Sequence, residues 1–396
     1  MKKLLQINVV SNVLSTGKIT NDLAAVAQER GWETYIAYGR YAKPGVSREI
    51  RVGTMMNTYL HYASNRLFDR EGLASRRTTK AFLKQIEAIK PDIIHLHNIH
   101  DHYINYPLLF RYLETHDIPV VWTQHDCWSF TGGCVYYDLF HCMKWKEGCH
   151  HCPEKRALLT DRSSRNYRLK KEWINRMDKI VLVPVSEWLA EVLRSSPLRE
   201  RDIRVIRNGV DIKAFRPVPG WADDGKFRIL GVAAPWSVRK GLPDFCRLRA
   251  LLPEEYQITL VGLAKEQIRD LPSGITGIER TSDREELVRL YSESDVFINP
   301  TYSDNLPTTN IEALACGTPV ITYNTGGSAE TVDENTGIVV EQGDLEGVIR
   351  AIETIKANGK AFYSPSCRER AVRNFDKDQR FEDYLRLYEE LTAAKC

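Results

Sequence analysis

Apolar, often β-branched runs recur at residues 4–10, 34–38, 93–96, 120–123, 180–185 and 205–206, separated by amphipathic helical periods such as 78–89 and 165–177. Short continuous apolar runs between helix-period segments predict strands buried on both faces and joined by crossover helices into a parallel sheet. A Pro- and Gly-punctuated stretch, 216–225, reads as a linker. Beyond it the rhythm starts again, with strands expected at 227–233, 256–261, 275–278, 296–299, 319–323 and 337–340 and helices at 282–292 and 306–315. The tail, 376–394, is helical in period, with Phe381, Tyr384, Leu385, Leu387 and Tyr388 on related faces, so it is expected to dock. The pattern predicts an α/β protein with a Rossmann-like domain at 1–212, a second at 213–375, and a C-terminal helix at 376–396 packing back on the first.

Composition changes this picture little. The 396 residues are 43% hydrophobic and 27% charged, enough for large cores. Basic and acidic residues number 55 and 52, leaving +3, so nothing in the overall charge points to nucleic acid. The first ten residues are too short and, at Gln6 and Asn8, too polar for a signal-peptide core. No run of eighteen apolar residues occurs, and a cytoplasmic protein is expected.

Candidate chemistry concentrates in Asp304-Asn305-Leu306-Pro307-Thr308-Thr309-Asn310-Ile311-Glu312. Pro307 suits a first helical turn, where its missing N–H costs nothing. The N–H groups of Thr308, Thr309 and Asn310 can then face an anion, helped by the helix dipole. Asp304 falls in the loop and Glu312 one to two turns into the helix, so a ligand touching both would carry phosphate centrally and hydroxyls at its ends. A nucleotide sugar has that form; two solvated acids are the plainer reading.

Arg239 and Lys240 follow the first strand of the second half, where a leaving diphosphate would need its charge neutralised. A surface Arg-Lys pair is the alternative. In the first half His125 and Asp126 end one buried-type strand and His97 and Asn98 another; structural hydrogen bonding and ligand contact both stay open for them. Gly17, in the loop 11–20 before a helix, is a lone glycine that would let backbone approach a ligand, or only a turn residue. The Gly-x-Gly-x-x-Gly of a dinucleotide site is missing there.

Taken together, residues 92–98 (Asp-Ile-Ile-His-Leu-His-Asn), 122–126 (Trp-Thr-Gln-His-Asp) with Trp128, Thr131 and Gly132, 206–211, Arg239-Lys240-Gly241, 304–312 and 317–321 resemble glycosyltransferase family 4 of GT-B fold, over nearly the whole chain. More narrowly, they resemble the branch that builds capsule and exopolysaccharide repeat units, colanic-acid enzymes included. The resemblance implies two Rossmann-like domains facing a cleft and retaining transfer of a sugar from a nucleotide-diphosphate sugar to a saccharide, lipid-linked in the expected case. It assigns Glu312 to the ribose hydroxyls and Asp304 to the transferred sugar; Gly17, Arg239, Lys240, Asn305, Leu306, Pro307 and Thr308 are the other expected donor contacts. His125, with Asp304, takes the catalytic place, and His97, Asn98 and Asp126 the acceptor side. Two departures stand out. The family pair is usually Glu-x7-Glu, and here the first member is Asp304; the arginine usual before Lys-Gly is replaced by Pro235, so Arg239 is expected to supply the guanidinium.

Five of nine cysteines lie within 127–152, and Cys149-His150-His151-Cys152 has zinc-knuckle spacing. The related transferases carry a pattern matching Cys134, Cys142, Cys149 and Cys152. A structural zinc pinning a core-poor insertion at 127–153, or unligated core thiols, are the two readings, with His141, His150 and His151 as substitute ligands. Arg156, Arg162, Arg165, Arg168, Lys170 and Lys171 form a basic run that either meets a lipid diphosphate at the inner membrane face or is a solvated helix face. A nucleotide-sugar epimerase of the same architecture, or a zinc-dependent interaction module with a vestigial sugar site, are the alternatives.

Overall fold

The computed structural model describes residues 1–154, 156–219 and 224–393; of the expected linker and tail, 220–223 and 394–396 lie outside the described residues. The chain divides into two compact units, Met1–Ile206 with the chain from Phe381 on, and Arg207–Arg380.

The first unit is a seven-stranded sheet of β1 (Lys3–Asn8), β2 (Glu33–Tyr38), β3 (Arg48–Arg51), β4 (Ile93–Leu96), β5 (Val120–Gln124), β6 (Ile180–Pro184) and β7 (Asp202–Ile203). Its order is β3-β2-β1-β4-β5-β6-β7, and every pair is parallel. Alternation of side chains assigns Leu5, Ile7, Leu96, Val120 and Trp122 to one apolar layer and Leu4, Ile93, Val121 and Val183 to the other. The second layer is closed by Phe381, Tyr384, Leu385 and Tyr388 of the helix Lys377–Ala393.

Three expectations need correction here. The seventh strand is at Asp202–Ile203 instead of 205–206, because a two-residue edge strand needs only the pairs Val181–Asp202 and Leu182–Ile203. The first crossover helix begins at Leu14, so Gly17 is inside it, not in a preceding loop. A Cβ there would lie 3.0 Å from the Val10 side chain and 3.2 Å from the Asn12 nitrogen, so glycine lets the β1 exit fold onto the helix. The cysteine-rich segment is not core-poor either: Trp128, Phe130, Tyr137 and Trp145 are buried in the first layer. Phe130 and Tyr137 each meet the Trp145 ring at 5.1 Å between centroids.

The second unit holds β8 (Phe227–Val232), β9 (Tyr256–Val261), β10 (Ile275–Ile278), β11 (Val296–Asn299), β12 (Val320–Tyr323) and β13 (Gly337–Val340), all parallel in the order β10-β9-β8-β11-β12-β13. Strand order reverses between β1 and β4 in the first sheet and between β8 and β11 in the second. At such reversals an open parallel sheet leaves a crevice at its carboxyl ends.

Candidate functional site

In the second unit the segments leaving β8 and β11 carry opposite charges to each other. The turn Val238–Lys240 closes on Gly241, whose φ is +76° and whose Cβ would stand 2.2 Å from the Pro300 carbonyl oxygen. Only glycine permits that approach. It brings Arg239 and Lys240 against the β11 exit: the Arg239 carbonyl accepts from the Tyr302 N–H at 2.7 Å, and its Nη1 donates to the Ser303 carbonyl at 2.6 Å. Lys240 Nζ forms an ion pair with Asp304. The loop is fixed from the other side by Gly327, whose N–H donates to the Asp304 carbonyl at 3.0 Å.

The helix Thr308–Ala315 follows. Pro307 is its N-cap, one place before the first helical turn expected for it, and no side chain caps the helix. Its first-turn N–H groups therefore lack the side-chain acceptor that Ser, Asp or Asn would supply at that place. Glu312 lies just over one turn in and accepts from the Tyr291 hydroxyl at 2.9 Å. Burial and the Glu312 charge hold the Tyr291 phenol well above its usual range, so it stays a donor. Asn299 Nδ2 donates to Asn310 Oδ1 at 2.7 Å, tying the helix to the end of β11. Asn305, Leu306 and Pro307 are buried and shape this turn, while Thr308 is half-buried.

In the first unit β4 and β5 end side by side on imidazoles. His97 Nδ1 lies 3.1 Å from His125 Nε2, and His97 Nε2 lies 3.1 Å from Gln6 Oε1 on β1. The Asn98 N–H donates to Asn8 Oδ1 at 3.2 Å. Asp126 accepts from the Trp128 N–H at 2.9 Å and meets His100 Nε2 at 2.7 Å. Burial, aided by the neighbouring imidazoles, pushes His97 well below its ordinary range. Burial, against the Asp126 charge, lowers His125 to about 4. His100 goes the other way: burial alone would lower it, but the Asp126 and Asp101 carboxylates outweigh that and raise it well above 6.5. Neutral His97 and His125 thus sit beside a charged His100–Asp126 pair at neutral pH.

His100 was not singled out from the sequence, although it lies two residues beyond Asn98. Nor were Gln6 and Tyr291, whose chemistry is visible only through space. Behind the imidazoles, His95 Nε2 is 2.7 Å from Thr123 Oγ1 and its Nδ1 is 2.5 Å from the Tyr388 hydroxyl, so the C-terminal helix braces this strand end. Gly17 is buried, its carbonyl accepting from the Asn12 N–H at 3.0 Å. In this structure it packs the helix against the β1 exit.

Among the cysteines, Cys134 Sγ and Cys152 Sγ stand 3.9 Å apart with Glu154 beside them. Cys149 accepts the Gly132 N–H at 3.1 Å, but neither it nor Cys142 joins that group. The basic run is divided by burial. The Arg156 guanidinium is 3.1 Å from Asp69 and 3.8 Å from Glu71. Lys170 is buried, donating to the Trp128 carbonyl with its ammonium 4.0 Å above that ring. Arg165, Arg168 and Lys171 stay exposed at helical spacing on Ser163–Asn175, so a solvated basic helix face is present without Arg156 and Lys170.

The fold is that of GT-B glycosyltransferases. Sucrose-phosphate synthase of Thermosynechococcus elongatus superposes with a TM-score of 0.75 at 19% identity over 100% of both chains. Anabaena HepE, solved in complex with UDP, does so at 0.68 and 14%, over 98% of this chain and 100% of its own. The profile described as Glycosyltransferase Family 4 matches residues 17–214, and that described as Glycosyl transferases group 1 matches 226–358. The chain belongs to glycosyltransferase family 4. It is 25% identical to the provisionally assigned colanic acid biosynthesis glycosyl transferase WcaC of Escherichia coli K12, over 98% of this chain and 100% of the relative. A Campylobacter jejuni N,N'-diacetylbacillosaminyl-diphospho-undecaprenol alpha-1,3-N-acetylgalactosaminyltransferase is 28% identical over 37% of this chain and 43% of its own.

Proposed function

We propose that this glycosyltransferase moves a hexosyl group, with retention of anomeric configuration, from a nucleoside-diphosphate sugar to a lipid-diphosphate-linked saccharide in capsule or exopolysaccharide assembly. The observation that carries the reading is the meeting of Lys240 and Asp304 beside an uncapped helix N-terminus, with Glu312 on that helix. Cation, backbone donors and a distal carboxylate are the groups a diphosphate and a ribose require. Lys240, Arg239 and the N–H groups after Pro307 neutralise the departing diphosphate, Glu312 accepts from the ribose hydroxyls, and Asp304 receives a sugar hydroxyl.

In the proposed step the acceptor hydroxyl attacks C1 on the face the diphosphate leaves. The bond from C1 to the diphosphate oxygen breaks, and the hydroxyl proton passes to that oxygen. His125, neutral beside Asp126, orients the sugar or the acceptor, with His97, Asn98 and Asp126 behind it. No divalent ion is required at the diphosphate, since Arg239, Lys240 and the helix supply the positive field. UDP is the first base to try, given HepE's complex with it. The acceptor class rests on the diphospho-undecaprenol named for the Campylobacter relative.

The cysteines are proposed to hold one structural zinc. Tetrahedral Zn–S bonds of about 2.3 Å put sulfurs about 3.8 Å apart. Cys134 and Cys152 fit that spacing, while Cys142 and Cys149 would have to move in. A thermal-shift panel of UDP, GDP and their sugars tests the donor reading: one nucleotide series should raise Tm by mass action. No stabilisation by any of them at millimolar concentration would overturn it.

A further inference from the structure

The helix Met55–Phe68 is amphipathic the wrong way round. Its buried residues are Thr58, His61 and Asn65, held by polar contacts: His61 Nδ1 to Ser75 Oγ at 2.9 Å and Asn65 Nδ2 to His102 Nε2 at 3.0 Å. Its outward face carries Met56, Tyr59 and Leu60, respectively 66%, 60% and 62% exposed, and continues to Leu67. Positions 56, 59, 60 and 67 recur at helical spacing on one side. A helix that serves only a soluble core does the opposite, because burying apolar groups is what stabilises it.

The patch is extended by a second segment. The Leu158 and Leu159 N–H groups donate to the Arg66 and Leu67 carbonyls at 2.8 and 3.1 Å, setting two leucines, 71% and 65% exposed, at the end of this helix. Asp69, its C-cap, accepts from the Arg162 N–H at 2.8 Å and pairs with Arg156. The apolar surface is thus built from two segments locked together.

Its border is mainly basic, with Arg66, Arg70, Arg76 and Arg77 exposed and Asp161 the acid beside Leu159. No acidic residue occurs in Met55–Phe68. A pocket of about 320 Å³ adjoining Leu60 is lined by Arg70, Arg76 and Arg77, none of them in an ion pair among the described residues. Arg76 and Arg77 open the helix Arg76–Ile89, whose N-terminus has no side-chain cap and no acid in its first turn. Cations are unfavourable at that end of the dipole unless an anion joins them. A second copy of the same face would bring arginine against arginine, whereas an anionic partner complements it.

We infer that this face of the first unit lies in the surface of an anionic lipid bilayer, with the outward apolar side chains of Met55–Phe68 and Leu158–Leu159 in the interfacial region and the arginine pocket on a lipid phosphate. It deepens the lipid-linked-acceptor reading by naming where the enzyme meets the membrane. An interfacial helix of this kind lies on a bilayer without spanning it, and no described helix is long and apolar enough to cross one.

The test is co-sedimentation of the full chain with vesicles of phosphatidylcholine alone or with about 30 mol% phosphatidylglycerol. The parent should bind the anionic vesicles and release with salt. Leu60→Ser with Leu159→Ser should weaken binding at least about tenfold, since two side chains leave the interface. Arg76→Gln with Arg77→Gln should lose on the order of tenfold on anionic vesicles and nothing on neutral ones. Phe362→Ser, removing an exposed aromatic of the second unit, should bind as the parent does. Nucleotide affinity by calorimetry should match the parent in every variant, which also reports folding. The inference is overturned if the parent ignores both vesicle types, if Phe362→Ser loses as much, or if Leu60→Ser with Leu159→Ser only dissolves a dimer. Vesicle binding without transfer to any lipid-linked acceptor would leave this surface standing and remove the acceptor reading.

Discussion

Replacing either partner of the Lys240–Asp304 pair should move nucleotide affinity in opposite directions. Both side chains are about one-fifth exposed, 20% and 19%, so their charges are partly shielded from water. Lys240→Met removes a charge-assisted bond to the diphosphate, roughly 1.5–3 kcal/mol, or about ten- to a hundred-fold in Kd. Asp304→Asn removes a like charge from the diphosphate's surroundings. At an effective dielectric of about 20 and a separation of roughly 6 Å, that repulsion is roughly 2–3 kcal/mol. It also releases Lys240 to the phosphates. Asp304→Asn should therefore bind the free nucleoside diphosphate as well as the parent or up to about a hundred-fold better, while transferring sugar more slowly because the sugar contact is lost. Isothermal titration with the nucleotide found by thermal shift, beside a transfer assay, reads both. Unchanged affinity in Lys240→Met together with weaker affinity in Asp304→Asn would refute the assignment of this pair to the diphosphate.

Acid should destabilise the first unit through its neutral imidazoles. His125 is held at about 4 when folded against about 6.5 unfolded, so the unfolded chain binds more protons between those values. Its contribution is complete above about pH 6.5 and is lost as pH falls toward 4. His100, raised in the fold, keeps its contribution below 6.5 and loses it only as pH rises through its folded value. Urea titrations should show His125→Gln with a shallower fall between pH 6 and 4.5, by roughly 1 kcal/mol per pH unit for this half-buried ring; equal slopes would count against a neutral His125. Arg156→Met strands Asp69 and Glu71 without their buried cation and should cost about 3–5 kcal/mol by urea denaturation; a loss under about 1 kcal/mol would contradict that network. Elemental analysis of protein purified without added metal should find about one zinc, lost in Cys134→Ser with Cys152→Ser, yet the insertion should stay folded around Trp128 and Trp145. Less than about a tenth of an equivalent in the parent would leave the cysteines as packing residues.

The central strands were legible because parallel strands covered on both faces must be continuously apolar, as in Ile-Ile-His-Leu at β4 and Val-Phe-Ile-Asn at β11. Edge strands escape that rule. Arg48–Arg51 is Arg-Glu-Ile-Arg, with one apolar residue in four, and β7 has only two residues. The helix Met55–Phe68 carries apolar positions at helical period, but that period does not say which face packs inward, and here the polar one does. At the site, Arg239, Lys240, Asp304 and Glu312 could be named from their places after strands and at a helix start. What could not be read is contact between distant segments: His100 with Asp126, Tyr291 with Glu312, and the C-terminal Tyr388 under His95. The same limit hid the sorting of the basic run, where Arg156 and Lys170 turn inward while their neighbours face water.

The most direct test of the account is proton NMR of the glycosylated product formed from an anomerically defined nucleotide-sugar donor and a lipid-diphosphate-linked saccharide, without divalent ions. The account predicts a product linkage with the donor's anomeric configuration, and nucleoside diphosphate released in step with transfer. An inverted linkage, or nucleotide and free sugar released at the same rate with no acceptor present, would contradict it.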